Sequence, residues 1–237
     1  MNNWQEDLLC AFQDAQSSTE AFAAAQLAAA QLGFEHCAYG LRLNLPVTRP
    51  QTLLFNNYPA AWQAHYVASG YLEADPSIAK GRLGEEPHTW QELATHAAHP
   101  IWEDARAHGL AHGWFQSQLE QAGGGGMLTL VRGAEALSAT ELRCQSLRWR
   151  WLTSVTHHTM RRLLQETACG GGQTPLTARE IEVLKWMADG KTNGEISDIL
   201  LISENTVKFH VKNVVSKMHV ANKTAAVVRA AMSGWLS

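Results

Sequence analysis

The chain lacks most of what would make it an enzyme, a secreted protein or a membrane protein. Its four cysteines, Cys10, Cys37, Cys144 and Cys169, are scattered with no CxxC among them. Free thiols in a reducing cytoplasm are the simplest account. No apolar run approaches the ~18 residues of a membrane span, so no membrane partner is expected. The opening Met-Asn-Asn-Trp-Gln-Glu-Asp has neither a basic start nor an apolar core, so no secretory leader is expected there. The glycines Gly123 to Gly126 are not followed by Gly-Lys-Ser/Thr, which argues against a phosphate loop. His108 and His112 stand four apart without the glutamate of HExxH, and Gly109 weakens a helix there, so neither a metal nor another cofactor is expected. A nucleophile elbow and an activated Cys–His pair are also missing, so the chain is expected not to be an enzyme. There is no internal repeat.

What remains is an ordinary globular composition, 46% hydrophobic and 17% charged over 237 residues, enough for two modest domains. The net charge of −3 is unevenly spread. Residues 176–237 hold eight Lys/Arg against six Asp/Glu, and the first 175 hold eleven against sixteen. Only the C-terminal part has the sign expected for a polyanion partner.

That part also carries the clearest pattern. Thr177-Ala-Arg-Glu180 and Thr192-Asn-Gly-Glu195 are capping boxes, each opening a helix, and Ser203 caps a third. Ile181, Leu184, Met187 and Ala188 recur at helical spacing, and Gly190 stands where a left-handed C-cap is expected. Leu201-Ile202 make the turn between the second and third helices. The third helix buries Val207, Val211, Val214, Val215 and Met218, and turns Asn205, Lys208, Phe209, Lys212 and Ser216 outward. A basic face alone fits any solvated helical bundle. A short turn followed by a cationic helix is what a major groove accepts, with cations for phosphates and donors and acceptors for base edges. Glu180, Leu184 and Gly190, followed by Thr206-Val-Lys-Phe-His210, Asn213, Lys217 and Asn222-Lys-Thr224, resemble the DNA-binding domain of the LuxR/NarL class of bacterial transcription factors. The resemblance covers 174–237 and implies a fourth helix over about 222–234 that pairs with its twin in a homodimer. It implies recognition by Lys208, Phe209 and Lys212, and Asn205 and Thr206 are expected to contact DNA beside them.

Upstream, helices are expected over Asn2–Ala15, from Ser17 to Gly33, over Pro59–Ser69, from Pro76 and over Pro100–His108. A long one runs from the cap Ser138-Ala-Thr-Glu141 to about Gln165. Strands are expected over Phe34–Leu43, Thr52–Phe55, Trp114–Glu120 and Met127–Arg132, the last two joined through the glycines. The fold class is therefore α+β, with an N-terminal α/β/α sandwich on an antiparallel sheet and an all-α four-helix helix-turn-helix domain after it. The expected domains are 1–165 and 176–237, with a linker over 166–175.

Tyr58, Trp62, Tyr66, Asp75-Pro76, Trp90 and Gly113 form a spaced set of aromatics around one acid. Singly, each fits a core aromatic or a helix cap. Together they resemble the autoinducer-binding domain of LuxR-type quorum-sensing receptors, over roughly 5–165. The resemblance implies an N-acyl-homoserine lactone as ligand. It implies that Trp62 donates to the lactone carbonyl and that Asp75 accepts the ligand amide. Tyr58 and Thr129 offer hydroxyls to the acyl carbonyl, and Tyr66 and Trp90 wall the pocket. An uncharged ligand with one amide donor, a few carbonyls and an apolar tail needs such a set. A carboxylate buried without a partner is costly, so Asp75 is expected to tie stability to occupancy. Where the family often continues Gly113 with Val-Ser-x-Pro, this chain has Trp114-Phe-Gln-Ser117. The expected protein is a cytoplasmic quorum-sensing regulator. Its partners are the lactone, an inverted-repeat DNA site, a second copy of itself and RNA polymerase. The alternative is a ligand-independent repressor, or a solo regulator answering a different small molecule. A phosphorylation receiver is disfavoured, because Glu6-Asp7 lies on a helix and no alternating β/α pattern follows.

Overall fold

The computed structural model describes residues 4–44, 50–96, 99–120, 124–168, 175–232 and 235–236. It separates into two compact units that meet in sequence between Gln165 and Glu166. The first is built on five antiparallel strands: β1 (His36–Leu43), β2 (Gln51–Asn56), β3 (His88–Thr89), β4 (His112–Leu119) and β5 (Gly125–Arg132), in the order β2-β1-β5-β4-β3. Because side chains alternate across a strand, each strand serves two faces. Cys37, Tyr39 and Leu41 of β1, Trp114 of β4 and Leu128 and Leu130 of β5 enter one core. Helices α1 (Trp4–Asp14), α2 (Ser18–Gln31) and α8 (Ala139–Ala168) supply its other wall, with Leu8, Phe12, Phe22, Trp149 and Leu152. The opposite face is covered by α3 (Ala60–Ala68), α4 (Tyr71–Ala74), α5 (Pro76–Gly81), α6 (Trp90–His96) and α7 (Pro100–Ala107). Trp62, Tyr71, Ile101, Trp102 and Leu110 form a second, smaller core with Val131 there. The expected three-layer arrangement with helices on both faces is the observed one.

Local chemistry explains the differences from the expected elements. Ser138 caps α8 through the Glu141 amide at 3.1 Å, but the Glu141 carboxylate turns to Arg132 instead, at 2.6 and 2.9 Å. Helix α8 then runs to Ala168, so 166–168 are helical where a linker was expected, and 169–174 lie outside the described residues. Gly125 and Gly126 belong to β5 and not to a turn. A side chain on Gly126 would overlap the His157 ring and the Tyr39 hydroxyl, and one on Gly125 would strike the Gln118 carbonyl. Among the described residues no helix is long and apolar enough to cross a membrane.

The second unit is all helical: α9 (Ala178–Ala188), α10 (Asn193–Leu200), α11 (Glu204–Lys217) and α12 (Lys223–Met232). Both expected capping boxes close reciprocally, and Ser203 accepts from the Thr206 amide. Gly190 is left-handed, with φ of 81°. The turn into α11 puts Leu201 at φ 53°, a conformation that costs a non-glycine residue about 1–2 kcal/mol. The core takes Val183, Leu184, Met187, Ile196, Val207, Val214 and Met218. Val183 replaces Ala188, which is exposed, because α9 packs against both α11 and α12 and its buried face is rotated toward them.

One ion pair ties this core together. Glu180, only 2% exposed, accepts from Lys217 Nζ at 2.7 Å and from the Thr177 amide at 2.8 Å. Burial would raise its carboxyl, but Lys217 and the Thr177 hydrogen bonds hold it below the ordinary glutamate value of 4.5. The stabilisation is therefore complete above that value and is lost as the pH falls through the folded-state value. Glu180→Gln should lower the stability of this unit by about 2–3 kcal/mol at neutral pH, roughly 10–20 °C in melting midpoint for a domain this small. The deficit should shrink in acid. A deficit that is the same at pH 7 and pH 3 would assign the effect to packing.

Candidate functional site

Between the second sheet face and helices α3–α7 lies a cavity of about 570 Å³. Sites for drug-sized molecules span about 300–1,000 Å³. Tyr58, Trp62, Tyr66, Asp75, Trp90 and Thr129, drawn from α3, α6, β5 and the connections before α3 and α5, all line it. Helix α3 sets Trp62 and Tyr66 one turn apart, their rings 5.7 Å between centroids. Thr129 comes from β5, opposite Ala38 of β1 and Phe115 of β4.

Asp75 is held from two sides. It caps α5, its Oδ1 accepting from the Ser77 amide at 2.8 Å and the Ser77 hydroxyl at 2.6 Å, with Pro76 at the first helical position. Its Oδ2 accepts from the Tyr66 hydroxyl at 2.9 Å. The helix-cap role and the cavity role thus fall on one residue. This corrects the expectation of a carboxylate without a partner. It also gives Tyr66 more to do than wall the pocket. Burial first, and then the Asp75 charge, push the Tyr66 phenol far above its usual value. Burial does the same to Tyr58, so both are neutral donors. The Cys37 thiol is pushed up to about 12 by burial and stays neutral.

The donors facing Asp75 are uncommitted. Trp90 and Trp102 keep their indole nitrogens occluded without a partner. The Trp62 nitrogen has no hydrogen-bond partner among the described residues, and its side chain lines the cavity. The hydroxyls of Tyr58 and Thr129 likewise have no partner among them. Behind Trp62, Asp104 accepts from Tyr71 at 2.5 Å and pairs with His65 at 2.8 Å, while the His108 ring lies 5.5 Å from the Trp62 ring. This polar cluster fixes the indole from the far side. The arrangement presents several donors, an acceptor anchored at Asp75 and a largely apolar remainder.

Trp90 was expected as a spaced aromatic that, by the family resemblance, walls the pocket. The structure puts it at the first residue of α6, beside Thr89, which exchanges hydrogen bonds with Glu92 at 2.9 and 3.2 Å. Thr89-Trp-Gln-Glu92 is a capping box that sequence reading passed over. Gly113 of β4 lies against the Trp90 ring, so closely that a side chain there would overlap the indole. Ile101, Trp102, Ala105, Ser117 and Met127 also line the cavity and were not singled out. They carry no spaced motif, and only the fold brings them together.

On α11, Asn205, Lys208, Phe209 and Lys212 are exposed, with Phe209 at 59%. Lys208 reaches Glu204 at 2.9 Å, an exposed pair of little energetic weight. Thr206 is half-buried and shares a 2.8 Å hydrogen bond with Ser203, so it serves the helix start.

Residues 17–160 match the model of the autoinducer binding domain, and residues 174–230 that of bacterial regulatory proteins of the luxR family. The chain belongs to the LuxR family of transcriptional regulators. It is 39% identical to the transcriptional activator protein AnoR of Acinetobacter nosocomialis, over 100% of both chains. It is 41% identical to SolR of Ralstonia nicotianae, also a transcriptional activator protein, over 97% of each. Among solved structures, SdiA in complex with octanoyl-rac-glycerol superposes with a TM-score of 0.79 at 33% identity, covering 98% of this chain and 95% of that one. This LuxR-family regulator is therefore not an enzyme. It has one domain for a small autoinducer and one for DNA.

Gly113→Ala should push the Trp90 indole from its seat and cost about 1–3 kcal/mol of overpacking. Tryptophan fluorescence and the melting midpoint of the N-terminal unit would both shift. An unchanged midpoint would show that Trp90 has room to move.

Proposed function

We propose that the regulator binds an N-acyl-homoserine lactone in its N-terminal cavity and an inverted-repeat promoter site, as a homodimer, through α11. The observation that carries the ligand reading is the opposition of free donors to a fixed acceptor. An acyl-homoserine lactone brings one amide N–H for Asp75, and carbonyls for the indole of Trp62 and the hydroxyls of Tyr58 and Thr129. Its aliphatic tail takes the apolar remainder. A second reading, an uncharged acylglycerol, is favoured by the ligand in the SdiA complex. That molecule has carbonyl and hydroxyl groups but no amide, so it leaves Asp75 a different partner.

A panel of acyl-homoserine lactones and octanoylglycerol, tested by melting shift, separates the two readings. A ligand that binds only the folded state adds about 2.7 kcal/mol at a hundredfold excess over its dissociation constant. Asp75→Asn keeps a cap for α5, since asparagine caps as well as aspartate. It loses the charge that strengthens the bond to an amide N–H. Lactone affinity should fall about tenfold or more and octanoylglycerol affinity less, with a lower ligand-free midpoint as the bonds from Ser77 and Tyr66 lose the charge. Undiminished lactone binding in this variant would remove Asp75 from the site.

For DNA, Lys208→Ala and Lys212→Ala should weaken binding and leave the ligand response intact. A lysine that serves only phosphate should lower affinity alike for all sequences and reduce the salt slope by about one unit, whereas a base-reading lysine should relax specificity. Half-sites about 10 base pairs apart, centre to centre, or a multiple of that, are expected of paired recognition helices. A footprint over a single unsymmetrical half-site would overturn the dimer.

A further inference from the structure

Two histidines with no role so far stand behind Trp62. His65 of α3, His108 at the end of α7 and Tyr71 of α4 pack their rings on the indole, at 6.0, 5.5 and 6.2 Å between centroids. None of the three lines the cavity, so Trp62 stands between them and anything bound there. Asp104 ties the group together. Its Oδ2 accepts from His65 Nε2 at 2.8 Å and from the Tyr71 hydroxyl at 2.5 Å, and its backbone carbonyl accepts from His108 Nδ1 at 2.7 Å. The bonds from Tyr71 and then His65 hold the Asp104 carboxyl below its ordinary value, so it is charged at neutral pH. Among the described residues these side chains are not disposed as ligands of a metal ion, which leaves protonation as the chemistry open to the imidazoles. The two rings stack at 5.6 Å, where two positive charges would repel. His65 is the better placed to carry one, because it bonds the carboxylate itself while His108 reaches only a backbone carbonyl. The other groups that face His65 are Tyr71 and the Ser69 hydroxyl, 3.5 Å from Nε2. Beyond Tyr71 stands His99, 6.0 Å from that ring, which accepts from the Ile101 amide in capping α7.

We propose that His65 and Asp104 are positioning residues for the Trp62 indole, and that a proton taken up by His65 tightens this brace, so that the cavity binds its ligand better in mild acid than in mild alkali. The inference rests on the reading above and deepens it, since Trp62 acts only on a ligand that offers it a carbonyl. A proton on His65 turns its hydrogen bond to Asp104 into a hydrogen-bonded ion pair. It also sets a cation against the indole ring, an attractive arrangement. An indole held in orientation has less freedom to lose on binding. By reciprocity the ligand strengthens the hold of His65 on its proton, so binding in the histidine range draws a proton from the buffer. The gain is complete below the transition of the free protein and is lost as the pH rises through that of the complex.

The test measures dissociation constants of the full chain for N-octanoyl-homoserine lactone and octanoylglycerol from about pH 5.5 to about pH 8, either side of the histidine range. Calorimetry near the middle of that range, in two buffers of different ionisation enthalpy, counts the protons exchanged. The wild-type protein should bind whichever ligand it takes about threefold to tenfold more tightly at the acid end, with net proton uptake. His65→Gln keeps a donor for Asp104 but takes no proton. It should bind at the alkaline wild-type level at every pH and exchange no proton. Asp104→Asn should likewise flatten the profile, and His108→Gln should keep it. A flat wild-type profile without proton uptake would overturn the proposal, whether or not the variants fold. So would a pH dependence that survives in His65→Gln, because a brace that is only structural shifts affinity equally at every pH. Loss of the dependence in His108→Gln would move the proton to the other ring and overturn the assignment to His65. Failure of both ligands to bind at any pH would remove the cavity reading, and the proposal with it.

Discussion

The Asp75 carboxylate is the constraint around which the N-terminal unit is arranged. Its oxygens are divided, one fixing the start of α5 through Ser77 and the other held by Tyr66 of α3. Two helices that are not neighbours in sequence therefore share one charge. A carboxylate fixed in this way has lost little freedom still to be lost on binding, so an incoming amide meets an acceptor already oriented. Tyr66 and Tyr58 complement it, because burial keeps both phenols neutral and able to donate. The same burial that makes the cavity apolar thus sets the protonation that recognition needs.

Close approach by glycine is the second device. Gly113 admits the Trp90 ring, Gly81 admits the Ser117 hydroxyl, and Gly126 admits Tyr39 and His157. At Gly126 the sheet is thin enough for Tyr39 of β1 to bond His157 of α8 at 2.8 Å beside it. His157 lies 3.3 Å from Glu120, which lines the cavity and also meets Arg161 at 2.9 Å. A polar chain therefore runs from the cavity, past the end of β4 beside Gly126, to the long helix on the other face. It passes where a larger residue at 126 would close the gap.

How far the sequence could be read follows from the range of each interaction. The capping boxes at Thr177 and Thr192, the cap at Ser203 and the outward row of α11 are local, spanning three or four residues, and all stand as expected. The box at Thr89 was equally local but sits on a seven-residue helix after a two-residue strand, too short for apolar periodicity to draw attention to it. The six cavity residues were legible through family spacing. Their partners were not. That Asp75 would be bonded by Tyr66, nine residues earlier, or that Gly126 would face His157, depends on packing between elements that periodicity does not encode. The run Gly123–Gly126 reads as a turn because glycine is rich in turns. Gly125 and Gly126 are instead selected by what lies against them, which appears only once the strands pair.

The charge balance of the C-terminal unit limits the number of phosphate contacts that one copy of α11 could make. Of the eight basic residues over 176–237, four are engaged internally. Arg179 bonds Glu182 and the Leu200 carbonyl, Lys217 bonds Glu180, Lys223 bonds the Lys191 carbonyl and Arg229 bonds the Met218 carbonyl. These cations stitch the four helices together and are unavailable to phosphate. Lys208 and Lys212 remain on the outward face of α11, and the acidic residues there leave little general attraction to a polyanion. Few phosphate contacts per unit mean a shallow salt dependence and a low sequence-independent affinity. Two such helices on one rigid partner-linked pair would add their contacts on a single site without a second loss of translational freedom. The proposed paired target would thus draw on the small number of cations that each copy of α11 turns outward, as much as on the shape of the helix that carries them.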